Sequence, residues 1–233
     1  MVGSAPVGLA AVPGPRSDLA VTAITPSSGD VVGVAAPVEV TFAEPVTNLA
    51  RAEKSIHITA DKVPTGQFTW LSNQVVQWVP DQFWPAHSPI SVTAGGFATS
   101  FETGSAVVGI ADIDAHTFTV KIDDVVVREM PASMGKSKFP TPKGTFTALA
   151  KEKSVVMDSR TIGIPLSDPE GYKLTVADAV RITSGGVYVH SAPWSVGSQG
   201  NSNVSHGCIN LGPDNAAWYF DTVRVGDPVI VQA

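Results

Sequence analysis

Hydrophobic and polar residues alternate through much of the first third of the chain. The alternation runs through five short segments, PVEVTF, SIHIT, QFTWL, VVQWV and PISVTA. A period of two puts successive side chains on opposite faces and indicates half-buried strands. Turn-rich pieces separate the segments, and no helical pattern lies between them. The pattern predicts a β-sandwich that ends near residues 101–105, with Trp70, Trp78 and Trp84 in or near its core.

A second β-rich unit follows. The segment HTFTVKIDDVVVREM predicts a hairpin that turns at Asp123 and Asp124, with His116 on its exposed face. GVYVHSA predicts a strand with Tyr188 and His190 on one face, and DPVIVQA predicts the closing strand. The domain boundaries expected from these patterns are a flexible leader at 1–19, a sandwich at 20–104 and a second domain at 105–233.

One main helix is predicted in the second unit, in the segment GPDNAAWYFDTV. Pro213 suits the first helical position, and the acidic Asp214 beside it is favourable at the positive end of a helix. The long segment 151–174 differs from its surroundings, because several glycines and prolines interrupt it. A long irregular stretch inside a compact domain predicts a lid or binding loop.

Composition excludes several classes of protein. Hydrophobic residues make up 43% of the 233 residues and charged residues only 15%, which is typical of a folded globular chain. The net charge of −6 and the absence of Lys/Arg runs argue against a nucleic-acid partner. No apolar stretch is long enough to span a bilayer. The N-terminus lacks a basic start and is expected to be a disordered leader, or what remains after removal of a signal or anchor.

The only cysteine, Cys208, lies in the segment YVHSAPWSVGSQGNSNVSHGCINL, two residues after His206 and eighteen after His190. A free cysteine is most often core filler, but polar and glycine neighbours argue against a simple core position here. Zinc binding needs further ligands at suitable spacings, which are absent, so no metal or other cofactor is expected. A zinc ligand stays open as a minor alternative, and the favoured interpretation is a nucleophile that a nearby histidine ionises, with His190 the better placed of the two.

In acyl transfer, a thiolate attacks a carbonyl and the resulting oxyanion needs fixed N–H donors. A turn at Gly207 would let the main-chain amides of His206, Gly207 and Cys208 supply them. The residues alone therefore predict a cysteine acyltransferase or hydrolase. A structural thiol stays open as an alternative at this point.

The same residues resemble a known family. His190, a spacer of fourteen residues and then SHGCIN (205–210) are similar to the signature of the YkuD-type L,D-transpeptidases. FPTPKGTF (139–146) is similar to an upstream element of that family. MDSRTIGIP, EGYKL and VHSAPWSVGSQG resemble its mycobacterial branch, as does the preceding immunoglobulin-like (Ig-like) domain. The resemblance covers about residues 20–233.

The resemblance implies a mostly β protein, with an N-terminal Ig-like β-sandwich followed by a YkuD-like β-rich catalytic domain with one main helix. It implies a cell-envelope enzyme outside the cytoplasmic membrane. Such an enzyme joins peptidoglycan tetrapeptide stems, donor to acceptor, into 3→3 cross-links through a cysteine thioester. Carbapenem β-lactams are the expected covalent inhibitors.

The resemblance also implies roles for particular residues. Cys208 is the nucleophile, and His190 is the general base and later the general acid. The carbonyl of Ser191 orients the His190 ring, and His206 and Gly207 join Cys208 in the oxyanion hole. The substrate-binding residues that it implies are Met157, Tyr172, Trp194, Ser205 and Asn210.

One residue departs from the family pattern. Ile162 stands in the lid where some relatives have an aromatic residue, so lid closure and drug preference are expected to differ. Two other functions stay open from the sequence. One is a hydrolase that uses water as the acceptor, and the other is a non-catalytic wall-binding protein suggested by the Ig-like domain. The Ig-like domain itself is expected to be a spacer, or else a partner-binding surface.

Overall fold

The structure is a computed structural model that describes residues 19–233, so nearly all of the expected leader (1–19) lies outside the described residues. The described chain has two hydrophobic cores, one in each half. The protein is mostly β, as predicted. Within residues 19–233, no helix has the length and apolar character needed to cross a membrane.

The first unit is a sandwich of eight strands. They are β1 (Val21–Thr25), β2 (Val31–Val32), β3 (Val38–Phe42), β4 (His57–Ala60), β5 (Gly66–Trp70), β6 (Val75–Pro80), β7 (Pro89–Ala94) and β8 (Phe97–Thr103). One sheet has the order β1-β3-β6-β5 and the other β2-β8-β7-β4. Each of the five alternating segments contributes a strand. Trp78 and Trp84 are buried and Trp70 is partly buried, so these rings belong to the core as expected.

A short helix in this unit, α1 (Leu49–Lys54), was not predicted. Asn48 caps it by accepting a hydrogen bond from the main-chain N–H of Arg51 at 3.0 Å. Six residues form less than two turns, so the helix leaves almost no periodic hydrophobic pattern in the sequence.

The second unit is built on one sheet of nine strands. They are β9 (Val107–Asp112), β10 (Thr117–Ile122), β11 (Val125–Ser133), β12 (Gly144–Thr147), β13 (Ala150–Asp158), β14 (Lys173–Arg181), β15 (Tyr188–Ser191), β16 (Ile209–Leu211) and β17 (Pro228–Gln232). Their order is β12-β17-β9-β10-β11-β16-β15-β14-β13. The predicted main helix is α2 (Pro213–Thr222), with Pro213 in its first turn, and Tyr219 anchors it in the core.

The predicted hairpin is β10–β11. Asp123 and Asp124 both have positive φ, +49° and +66°, which suits a tight two-residue hairpin turn. The placement of His116 on the exposed face was wrong. It precedes β10 with φ +56°, is half-buried, and its Nδ1 lies 3.1 Å from Oδ1 of Asn203. The hydrophobic alternation thus begins at Phe118, and His116 belongs to a turn.

The segment 151–174 is more regular than its glycines and prolines suggest. All of its first third is strand β13, which pairs with β14 along its length, from Ala150 opposite Arg181 to Asp158 opposite Lys173. Residues 159–172 form the tip of this arm and are called the lid loop below; they begin with a short 3-10 helix (Ser159–Ile162) and are otherwise irregular. β13 is the edge strand of the sheet and is mostly half-exposed, so its sequence lacks a clear apolar face.

A loop of the sandwich docks against a turn of the second unit. The N–H of Gly33 donates to the carbonyl of Val225 at 2.9 Å, and that of Ala35 donates to the carbonyl of Gly226 at 2.8 Å. Val34 between them is fully buried, and so is Asp227 beside the turn. The two units therefore meet through hydrogen-bonded main chain.

Candidate active site

Two neighbouring strands bring together the ends of the cysteine-containing segment. β15 and β16 run parallel, with His190 opposite Asn210. Cys208 directly precedes β16 and lies two residues before Asn210. Side chains two residues apart share one face of a strand, so Cys208 and His190 are placed on the same face. The fourteen residues between His190 and Ser205 are long enough for the chain to return from β15 to the start of β16.

This face opens into a cavity of about 360 Å³. That volume is within the usual range for small-molecule sites. The cavity is lined by Met157, Tyr172, Leu174, His190, Trp194, Ser195, Ser198, Val204, Ser205, His206, Cys208 and Asn210. Eight of the ten residues named from the sequence line it. The other two, Ser191 and Gly207, do not line it, and the Ser191 carbonyl contacts the His190 ring.

The His190 ring is buried, and its tautomer follows from its neighbour. Nδ1 lies 2.9 Å from the carbonyl oxygen of Ser191. A carbonyl can only accept, so Nδ1 carries the hydrogen and Nε2 keeps its lone pair. Burial also lowers the pKa of His190 to about 4. The ring is therefore neutral at pH 7 and able to take a proton at Nε2.

The Cys208 thiol behaves differently from the sequence expectation. The residue is half-buried, and Sγ lies 3.9 Å from the carbonyl oxygen of Gly186. Burial raises the pKa of the Cys208 thiol to about 11, and a hydrogen bond with the main chain of Tyr188 acts in the opposite direction. We expected His190 to ionise the thiol at rest. Because the pKa of His190 is about 4 and that of Cys208 is about 11, the pair at pH 7 is a neutral thiol and a neutral imidazole.

This protonation state can be measured directly. Because Cys208 is the only cysteine, the ultraviolet thiolate absorbance of the parent minus that of Cys208→Ala reports on this residue alone. The thiolate fraction rises about tenfold per pH unit below the pKa, so we expect no signal at pH 8 and a signal that grows towards pH 11. A thiolate signal at pH 7 that disappears only in acid would show a resting ion pair instead.

A tight loop at residues 205–208 precedes β16 and is called the catalytic loop below. Gly207 has φ +116°, a conformation that favours glycine. Its N–H donates to the Ser205 hydroxyl at 3.1 Å, and that hydroxyl donates to the Cys208 carbonyl at 2.6 Å. The Gly207 amide is thus already engaged. The amides of His206 and Cys208 donate to no group within residues 19–233, which leaves them available for an oxyanion.

Thr141 supports this loop, and we assigned it no role from the sequence. It is buried, its hydroxyl donates to the Gly207 carbonyl at 2.9 Å, and it accepts from the N–H of Gly135 at 2.8 Å. Each such hydrogen bond contributes about 1 kcal/mol, and an unpaired buried partner costs more. The sequence feature that could have indicated this role is the position of Thr141 in FPTPKGTF, where it lies between two prolines in a polar loop.

Asn210 is braced through a small polar cluster. Its Nδ2 donates to the Ser195 hydroxyl at 3.1 Å, and the Gln199 amide donates to the same hydroxyl at 3.3 Å and to the Ala192 carbonyl at 3.1 Å. All three polar side chains are buried. This cluster fixes the strand–turn segment after His190 against β16. The sequence suggested Asn210 but gave no reason to select Ser195 and Gln199.

Aromatic and apolar side chains border the cavity entrance. Met157 and Tyr172 line it from the lid side. Trp194 is 56% exposed, and its ring centre is 6.0 Å from that of His190. Ile162 is 43% exposed and does not line the cavity. Its predicted influence on lid closure stays a prediction.

The His206 ring takes part in a separate network. It lies between Phe139 and Tyr172, with ring centres 4.8 and 5.0 Å away. Its Nε2 lies 2.9 Å from Oε2 of Glu170, which also pairs with the Lys136 ammonium. His206 therefore makes its polar side-chain contact with the lid loop. No group of three or more His, Cys, Asp or Glu side chains within residues 19–233 is placed to hold a metal ion.

Residues 106–231 match the family described as the L,D-transpeptidase catalytic domain, YkuD. This match covers more than half of the chain. The chain belongs to the L,D-transpeptidase family. The resemblance seen in the sequence is thereby confirmed, and residues 15–95 match the bacterial Ig domain family, which supports the Ig-like sandwich.

Individual relatives agree with the family. L,D-transpeptidase 1 of Mycobacterium tuberculosis is 56% identical, with 98% of this chain and 91% of that protein covered. An L,D-transpeptidase structure from Mycobacterium smegmatis is 68% identical, with a TM-score of 0.90 and coverage of 93% of this chain and 100% of that one. A structure of the transpeptidase LdtMt1 in complex with imipenem is 57% identical, with a TM-score of 0.88 and coverage of 91% and 99%. The family is one of acyltransferases.

Proposed function

We propose that the protein is a peptidoglycan L,D-transpeptidase that forms 3→3 cross-links through a thioester on Cys208. The observation that carries the proposal is the joint placement of Cys208 and His190 at one cavity, where the Nε2 lone pair of His190 has no hydrogen-bond partner within residues 19–233. A cysteine beside a base that a third group orients is the usual arrangement for covalent acyl transfer.

The first half-reaction cleaves the donor stem. Cys208 Sγ attacks the carbonyl carbon of the third stem residue while its proton passes to His190 Nε2. The oxyanion is stabilised by the free amides of His206 and Cys208. When the intermediate collapses, the bond to the fourth residue breaks and its amine leaves with the proton from His190. A thioester on Cys208 remains.

The second half-reaction transfers the acyl group. The side-chain amine of an acceptor stem attacks the thioester carbonyl, and His190 Nε2 removes a proton from that amine. The carbon–sulfur bond then breaks, and the proton returns from His190 to the departing thiolate. A raised thiol pKa suits this scheme. Cys208 gives its proton to His190 during attack and regains one from His190 at the end, so both groups are neutral between reaction cycles.

The cavity also accounts for the expected inhibitors. A carbapenem presents a strained carbonyl, and attack by Cys208 would open the ring and leave an acyl-enzyme. The structure of LdtMt1 in complex with imipenem supports β-lactam binding by this chain. We further propose that the protein acts in the cell envelope, outside the cytoplasmic membrane, because its substrate would be located there.

Product analysis tests the proposal. The purified protein is incubated with disaccharide-tetrapeptide, and the products are separated and sequenced by mass spectrometry. We expect release of the fourth residue together with dimers joined between two third-position residues. Tripeptide without dimers would indicate hydrolysis, and an unchanged substrate would favour the wall-binding alternative; either result contradicts the transpeptidase proposal. Cys208→Ala is the control and is expected to leave the substrate intact.

A further inference from the structure

The lid loop (159–172) is held together by its own contacts. The N–H of Tyr172 donates to the Ser159 hydroxyl at 3.0 Å, and that hydroxyl donates to the Ile164 carbonyl at 2.9 Å. The Ser159 N–H donates back to the Tyr172 carbonyl at 2.9 Å, and Ser159 is fully buried. These bonds fix both ends and one internal point of the loop. The loop is thus a preformed unit at the tip of the β13–β14 arm.

A single carboxylate makes the polar connection from this unit to the catalytic loop (205–208). Within residues 19–233, Glu170 is the only side chain of the lid loop that forms a hydrogen bond with the catalytic loop. It also forms an ion pair with Lys136. Its Oε2 accepts a hydrogen bond from the His206 ring and pairs with the Lys136 ammonium. A carboxylate can only accept, so His206 Nε2 is a donor. Hydrogen bonds to a charged acceptor are about twice as strong as neutral ones.

Both partners of Glu170 lead directly to the catalytic loop. The main-chain N–H of Lys136 donates to the Ser205 carbonyl at 3.1 Å, so the lysine is itself fixed to the loop. His206 carries one of the two free amides that can serve the oxyanion. Glu170 and the flanking rings of Phe139 and Tyr172 hold the His206 side chain, and with it the residue that carries this amide. The lid loop is therefore connected to His206 by the polar contact of Glu170 and by the ring contact of Tyr172.

We propose that Glu170 is a positioning residue: it holds the lid loop against the catalytic loop and fixes His206 so that its amide serves the oxyanion. This inference rests on the proposed acyl transfer at Cys208. Glu170 does not touch the reacting atoms and acts through His206. We expect the effect in the chemical step, because the connection fixes the residue that carries an oxyanion donor.

The chain offers a matched pair of variants. Glu170→Gln and Asp168→Asn each remove one carboxylate charge from the lid loop and keep the side-chain shape. Among the described residues, Asp168 Oδ1 accepts only from the loop's own main chain, at the N–H of Glu170, a contact that asparagine retains. A general effect of loop charge would appear in both variants, and an effect of the contact to His206 would appear only in Glu170→Gln.

The test follows acylation by a carbapenem, with the limiting rate constant kinact separated from the half-saturating concentration KI, and with Tm measured for each variant. For Glu170→Gln we expect kinact to fall about tenfold, with KI and Tm little changed. For Asp168→Asn we expect kinact within twofold of the parent. Lys136→Met is a second variant, expected to lower kinact by less because Glu170 keeps its contact with His206.

Three results would overturn the inference: a parental kinact in Glu170→Gln, an equal loss in Asp168→Asn, or a change confined to KI and Tm. These results differ from a failure of the proposed function. If the parent itself forms no acyl-enzyme, acyl transfer at Cys208 is wrong and the role of Glu170 falls with it. If the parent acylates normally and Glu170→Gln does too, only the role of Glu170 is wrong.

Discussion

Replacing His190 by glutamine is expected to lower the rate of Cys208 acylation by about 1000-fold, because general-base assistance usually contributes 10²–10⁴. The resting thiol is protonated, since burial raises its pKa to about 11. Without His190, only the small thiolate fraction at pH 7 can attack. Glutamine fits the buried site and can still donate to the Ser191 carbonyl. The measurement is the acylation rate, with Tm to confirm folding.

His206→Gln is the matched control, because it removes the other histidine of the same segment and leaves the main-chain amide in place. We expect a loss of no more than about tenfold, since the ring positions the loop and does not exchange protons with the thiol. A larger loss in His206→Gln than in His190→Gln would reverse the assignment of the base. The parent should also show an acid limb near pH 4, the pKa of His190, below which the protonated ring cannot accept a proton.

Replacing Gly33 by alanine is expected to disrupt the docking of the two units. A Cβ at this position would lie 2.0 Å from the main-chain nitrogen of Asp227 and 2.4 Å from its Oδ1. These atoms belong to a buried, hydrogen-bonded turn, so the segments must separate. Loss of the two main-chain hydrogen bonds, together with the overpacking, should cost about 3 kcal/mol of unfolding free energy.

Calorimetry measures this effect. We expect Gly33→Ala to unfold at a lower temperature, with the transition of the sandwich separated from that of the catalytic unit. Gly197→Ala is the control, because no atom lies within 4 Å of an added Cβ there and its φ is ordinary. A Gly33→Ala protein with the parental Tm would show that the two units do not depend on this contact.

Local features of the chain could be predicted from the sequence. The alternating segments identified strands such as β3 and β7, and Pro213 marked the start of α2. The spacing of His190 and Cys208 pointed to one site because both belong to a continuous segment with strand patterns at each end. Patterns of this kind depend on neighbours a few residues away, and the sequence displays them directly.

Features that depend on distant partners could not be predicted. Thr141 supports Gly207 across 66 positions, and Glu170 reaches His206 across 36. The raised pKa of Cys208 is of the same kind, because the groups around the thiol come from several segments of the chain. The edge strand β13 was hidden for a different reason: main-chain pairing with one neighbour holds it, and no apolar face marks it in the sequence.

The central claim is that Cys208 is the nucleophile of this site, and intact-mass analysis with a carbapenem tests it most directly. The parent protein is expected to gain one adduct with the mass of the whole drug, and digestion should locate it on the peptide that contains Cys208. Cys208→Ala should gain none. An adduct of the same stoichiometry on Cys208→Ala, or no adduct on a folded parent, would contradict the account.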